Sequence, residues 1–83
     1  MVKLEQQAEL LRKFKVEASV REWGEPKLDI KNGYLGTGVS VITEDEEVKL
    51  SLTGGWFNLA EIREHYHALQ KGLAILEALS DIN

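Results

Sequence analysis

Apolar residues along this chain recur with two different periods, and each change of period marks an element. Residues 3–13, KLEQQAELLRK, set Leu4, Ala8 and Leu11 on one side of a helix, with Glu9 and Lys13 as a favourable i,i+4 pair. That helix is short, so packing has to supply its stability. From Phe14 the period drops to two. Phe14, Val16, Ala18 and Val20 alternate with Lys15, Glu17, Ser19 and Arg21, the pattern of a half-buried strand. Trp23-Gly24-Glu25-Pro26 closes it, because a proline lacks the amide that a central strand needs. Lys27–Lys31, with Leu28 and Ile30 inward, predicts a second strand running into Asn32-Gly33, a strong signal for a two-residue type I′ hairpin. Such a turn sets Lys31 opposite Tyr34, Ile30 opposite Leu35, Asp29 opposite Gly36 and Leu28 opposite Thr37. The third strand then continues to about Thr43, Glu44–Glu47 form an acidic turn, and Val48, Leu50 and Leu52 give a fourth strand of the same inward parity.

The last third of the chain returns to helical spacing. Asn58 is a good N-cap, Glu61 stands three residues on as in a capping box, and Phe57 and Ile62 occupy the hydrophobic-staple positions. From there to about Ser80, Leu59, Ile62, Tyr66, Leu69, Leu73 and Leu76 recur at alternating steps of three and four. A second, narrower stripe of Ala68, Gly72, Ile75 and Leu79 runs beside them. Apolar surface this wide calls for two neighbours. The second stripe is covered either by the N-terminal helix of the same chain or by its counterpart in a second chain, where Gly72 permits close approach. The dimer is the preferred reading, with Ala68, Gly72, Ile75 and Leu79 as its interface. The expected fold is α+β: a short N-terminal helix, a four-stranded antiparallel meander, and a long C-terminal helix packed on one sheet face, in the order α-β-β-β-β-α.

Composition narrows the functions open to such a domain. Eighty-three residues make one domain that buries only roughly 60–65% of the unfolded chain's surface, a size at which dimerisation is a common remedy. With 43% hydrophobic and 29% charged residues the chain has the composition of a folded protein rather than a disordered tail. No run approaches a membrane span and the N-terminus lacks signal-peptide form, so the expected location is cytoplasmic. The absence of cysteine excludes disulfides, thiolate catalysis and cysteine-ligated zinc. His65 and His67 lie about 200° apart on a helix and cannot share a metal. Glu61 and His65 do share a face, a spacing that reads as a surface hydrogen-bonded pair before it reads as a metal site. Neither a metal nor a cofactor is expected.

The net charge of -4 argues against a non-specific, electrostatically driven DNA binder, but the charge is unevenly distributed. Strand parity puts Lys15, Arg21, Lys27, Lys31 and Lys49 on the outer sheet face against Glu17 and Asp29, interleaved with Ser, Thr and Gly and with Trp23 and Tyr34. Cations for phosphates beside aromatic faces for bases are what a single-stranded nucleic-acid platform requires. Lysines also guard an ordinary solvated sheet against aggregation, the competing explanation. Gly36 and Gly38 fall on this face as well. A glycine pair there reads as a bulge, or as close approach by a ligand; the bulge is preferred because nothing else marks a pocket.

Trp23-Gly24-Glu25-Pro26-Lys27-Leu28-Asp29-Ile30-Lys31, followed by Gly38-Val39-Ser40-Val41, resembles the core motif of the PC4-like coactivators. The succession of four strands and a long helix also resembles Pur-alpha-like repeats, whose strand-then-helix end is similar to Val48–Leu69. Both resemblances imply dimers that hold single-stranded DNA or RNA on a basic sheet face. This chain departs from the first family in carrying Lys31 where that family has arginine, in its fourth strand and in its acidity. The expected function is a non-enzymatic, homodimeric module binding single-stranded nucleic acid through Lys15, Arg21, Lys27, Lys31 and Lys49, with Trp23 and Tyr34 stacking. The alternative is a protein-binding adaptor or inhibitor of phage-like or accessory type. It would turn an acidic surface, Glu44–Glu47 with Glu61, Glu64, Glu77 and Asp81, toward a basic protein partner.

Overall fold

The computed structural model describes residues 2–82, with side chains from Lys3 onward. The elements are α1 (Val2–Lys13), β1 (Glu17–Val20), β2 (Leu28–Asn32), β3 (Tyr34–Gly36), β4 (Val39–Glu44), β5 (Glu47–Leu52) and α2 (Leu59–Ile82). The fold class is α+β, as the period changes imply. The single four-stranded meander is corrected to five strands in two antiparallel sheets, β1-β2 and β3-β4-β5.

The correction begins at Asn32-Gly33, which does not turn. Neither residue is in the left-handed region that a type I′ turn demands, and β2 runs on into β3. Gly33 instead lies where β4 crosses: its carbonyl accepts a hydrogen bond from the Val41 amide at 2.7 Å, and a Cβ at this position would sit 2.0 Å from the Val41 carbonyl oxygen. A local turn preference thus yields to a tertiary contact that only glycine fits. The tight hairpins lie elsewhere. Thr37-Gly38 divides the predicted third strand into β3 and β4. Asp45 and Glu46, at φ 53° and 62°, join β4 to β5 with the two left-handed residues of a type I′ turn.

Both helix ends are locally specified. At the end of α1 the Lys15 amide donates to the Arg12 carbonyl and the Val16 amide to the Leu11 carbonyl, a Schellman pair with Lys15 left-handed at φ 65°. The two side chains that this closure brings together, Leu11 and Val16, are both buried. At the start of α2 the Asn58 side chain accepts from the Glu61 amide at 2.9 Å, and the Glu61 carboxylate accepts from the Asn58 amide at 3.1 Å. The capping box is therefore complete. Phe57 stacks on His65, with ring centroids 5.3 Å apart, while Ile62 stays exposed.

The core gathers Ala8 and Leu11 from α1, Val16 and Ala18 before and within β1, Leu28 from β2, Val41 from β4, and Ile75 and Leu79 from α2. The assignment of stripes on α2 is inverted relative to expectation. Ala68, Gly72, Ile75 and Leu79, proposed as a dimer interface, are buried within the chain. At two of these positions smallness is the reason. Ala68 meets Gly36, whose added Cβ would stand 2.8 Å from the Ala68 Cβ, and a Cβ on Gly72 would stand 2.7 Å from Leu50 Cδ1. Gly36 accordingly faces α2 and not the outer surface. The bulge expected beside it exists, as a register shift between Tyr34 and Gly36. Of the larger stripe, Leu76 packs against this core and Leu69 is half-buried, while Leu59, Ile62, Tyr66 and Leu73 stand at 64%, 45%, 59% and 56% exposure. Among the described residues no helix is long and apolar enough to cross a membrane.

Candidate functional site

Two irregularities of the backbone aim two lysines at one cleft. The first is the left-handed Lys15, at a position where glycine is preferred because a side chain there costs about 1–2 kcal/mol. The second is a bulge in β2: Glu17 pairs with Asn32 and Ala18 with Ile30, so Lys31 is the extra residue that the ladder skips. Both lysines line a cleft of about 390 Å³ beside β1, together with Arg12, Glu17 and Ser19. Its floor is Val16 and Ala18. Arg12 reaches it from the last turn of α1 and donates from Nη1 to the Ala18 carbonyl at 2.9 Å, which fixes the guanidinium against the free edge of β1. Three cations from three segments of chain therefore face one carboxylate.

Beyond the other end of β1, the Arg21 guanidinium lies over the Trp23 ring, 4.6 Å from its centroid. Arg21 Nη2 donates to the Glu25 carbonyl at 2.9 Å, so the arginine is held on two sides. Trp23 remains 74% exposed. The β1-β2 hairpin thus carries cations at one end and a cation-backed aromatic ring at the other.

The other residues expected in the site are distributed differently. Lys27 lines a separate cleft of about 580 Å³ with Glu25, Asp45, Glu46 and Glu47, and so sits among carboxylates. Lys49 pairs with Glu44 at 3.2 Å. Tyr34 is exposed on the other sheet, in the cross-strand row it makes with Ser40 and Ser51. Sequence reasoning missed Arg12. The basic run Arg12-Lys13-Phe14-Lys15 could have signalled it, had the run not read as ordinary complementation of a helix C-terminus.

Glu61, Glu64 and His65 serve local structure. Glu61 caps α2, and Glu64 accepts from the Thr37 hydroxyl at 2.6 Å. His65 Nδ1 lies 2.8 Å from the Thr37 carbonyl, which replaces the expected pairing of Glu61 with His65. No group of three or more metal-ligating side chains gathers among the described residues. No protein-family model, characterised protein or solved structure matches this chain.

Proposed function

We propose that this chain is a non-enzymatic binding module that holds single-stranded nucleic acid along the β1-β2 hairpin. The observation that carries the reading is the convergence of Arg12, Lys15 and Lys31 on one cleft in a chain of net charge -4. Backbone phosphates occupy the cleft, neutralised by the two lysines and by the guanidinium that Ala18 orients. A base stacks on the Trp23 face opposite Arg21, whose charge at 4.6 Å makes the ring an amphipathic platform for a nucleotide. The motif Pro26-Lys27-Leu28-Asp29-Ile30-Lys31, similar to that of the PC4-like coactivators, lies on the same hairpin. Lys49, already paired with Glu44, and Tyr34, on the other sheet, contribute little. Of the acidic surface in the alternative reading, Glu44, Glu61 and Glu64 are engaged within the chain, which leaves Asp45, Glu46, Glu47, Glu77 and Asp81 to carry it.

The test is fluorescence anisotropy of a labelled mixed-sequence oligonucleotide, single-stranded, titrated with protein across a salt series. Three neutralised phosphates give a slope of log Kobs against log salt of roughly -2. Lys15→Glu with Lys31→Glu abolishes binding and Lys49→Glu leaves it intact. In a Trp56→Phe background, Trp23 alone reports stacking by its quenching. Binding indifferent to the Lys15 and Lys31 changes, or no saturable binding at low salt, overturns the reading.

A further inference from the structure

The face of α2 turned away from the core has a defined occupant. We infer that a second copy of this chain docks there, with the two α2 helices antiparallel about a two-fold axis midway between Tyr66 and Leu69. This inference does not rest on the nucleic-acid reading, since the cleft lies on α1 and the β1-β2 hairpin, and either stands if the other fails.

Surface area gives the first argument. The chain exposes 5899 Å², whereas a monomeric globular protein of its mass exposes about 5,000 Å². The excess is close to the roughly 800 Å² that each partner buries in a standard interface. It reflects an elongated molecule, 44 × 23 × 19 Å, whose longest element is α2. Leu59, Ile62, Tyr66 and Leu73 on one face of the helix present about 430 Å², the size of the largest apolar patch on a typical monomer, roughly 300–600 Å² and often functional. Trp56, at 99% exposure, lies just ahead of the helix.

The pattern gives the second argument. The stripe alternates steps of three and four, the seam of a helix pair, and runs about 21 Å from Leu59 to Leu73. The same steps are read from either end, so an antiparallel pairing about the point midway between Tyr66 and Leu69 sets Leu59 against Leu76, Ile62 against Leu73 and Tyr66 against Leu69. Self-complementarity of this kind is what a two-fold interface requires. Beside the axis the Tyr66 hydroxyl already accepts a hydrogen bond from Gln70 Nε2 at 3.1 Å, so its oxygen keeps a partner when the ring is covered.

Sedimentation equilibrium of the full chain measures the state directly, and the expected mass is twice 9.4 kDa. Tyr66→Glu and Leu73→Lys, at exposed positions, weaken association at least about a hundredfold while circular dichroism stays unchanged. Because the chain has no cysteine, single replacements report geometry. A mixture of Ile62→Cys and Leu73→Cys chains forms a disulfide-linked dimer on mild oxidation, and Leu59→Cys alone does not. A monomer at every concentration overturns the inference. So does a dimer that survives both Tyr66→Glu and Leu73→Lys, which would point to another surface such as the β5 edge, or a disulfide formed by Leu59→Cys alone, the mark of a parallel pair.

Discussion

Placing a side chain on Gly33 tests the corner between the two sheets. A Cβ there stands 2.0 Å from the Val41 carbonyl oxygen, against an ordinary contact of 3.4 Å or more, and the obstructing atom is backbone. The β4 strand has to retreat, and two losses follow. The 2.7 Å bond from the Val41 amide to the Gly33 carbonyl goes, at about 0.5–1.5 kcal/mol. Val41, 2% exposed, is driven out of register with its core neighbours, at about 1–3 kcal/mol. Gly33→Ala is therefore expected to destabilise by about 3 kcal/mol, in a domain whose whole stability is about 4–12 kcal/mol. The melting temperature falls by roughly 12–24 °C. Gly54→Ala is the control: nothing lies within 4 Å of its added Cβ, so its effect stays between neutral and a gain of about 1 kcal/mol. The decisive variant is Gly33→Asn. A type I′ turn accepts asparagine at little cost, whereas the crossing strand rejects any Cβ. Urea unfolding followed by circular dichroism reads all three as shifts of midpoint at constant slope. A Gly33→Asn loss below about 1 kcal/mol would refute the crossing and restore the hairpin that the local sequence favours.

Two further substitutions test the helix ends. Lys15→Gly relieves about 1–2 kcal/mol of left-handed strain and forfeits about 0.5–1 kcal/mol through a looser unfolded chain. It should raise stability by about 0.5–1 kcal/mol in urea while weakening single-strand binding in the anisotropy assay; a loss of stability contradicts the Schellman geometry. Asn58→Ala removes the side chain that accepts from the Glu61 amide and should cost about 1 kcal/mol, with Asn58→Ser recovering most of it. Equal stability of the alanine and serine variants, by the same unfolding measurement, contradicts the capping box.

Legibility of the fold followed the range of the interactions. The capping box was readable because every partner lies within three residues of Asn58. The alternation from Phe14 to Val20 was readable in part: β1 spans only Glu17–Val20, and Phe14 and Lys15 belong to the turn that closes α1, with Lys15 left-handed. Asn32-Gly33 misled because its glycine answers to β4, eight residues on, and not to a turn. The stripes of α2 were misassigned for a related reason. Periodicity reports that two apolar faces exist and does not rank them, and the bulkier face looked like the core. Packing ranked them by closeness of approach, since Gly36 and Leu50 leave room only for Ala68 and Gly72. The cleft was half legible. Lys15 and Lys31 stood out as outward cations in a strand pattern, but what joins them to Arg12 is a bulge and a left-handed residue, neither of which has a sequence signature at lysine.

Net charge was the least informative quantity for function, and screening explains why. At physiological ionic strength the Debye length is about 8 Å, a small fraction of the 44 Å long axis. A phosphate in the cleft therefore responds to Arg12, Lys15, Lys31 and Glu17 far more than to the chain's total of -4. The carboxylates of the β4-β5 turn line a different cleft, with Lys27 among them. An acidic composition weighs against anion binding where the two signs are intermixed, because each cation then has a neighbour to neutralise it. Here Lys49 is paired with Glu44, and Lys27 shares its cleft with four carboxylates and one other lysine, whereas the cleft of Lys15 and Lys31 holds three cations and one carboxylate. The contrast comes from backbone placement: the bulge at Lys31 and the left-handed Lys15 bring both lysines to the cleft that Arg12 and Glu17 also line.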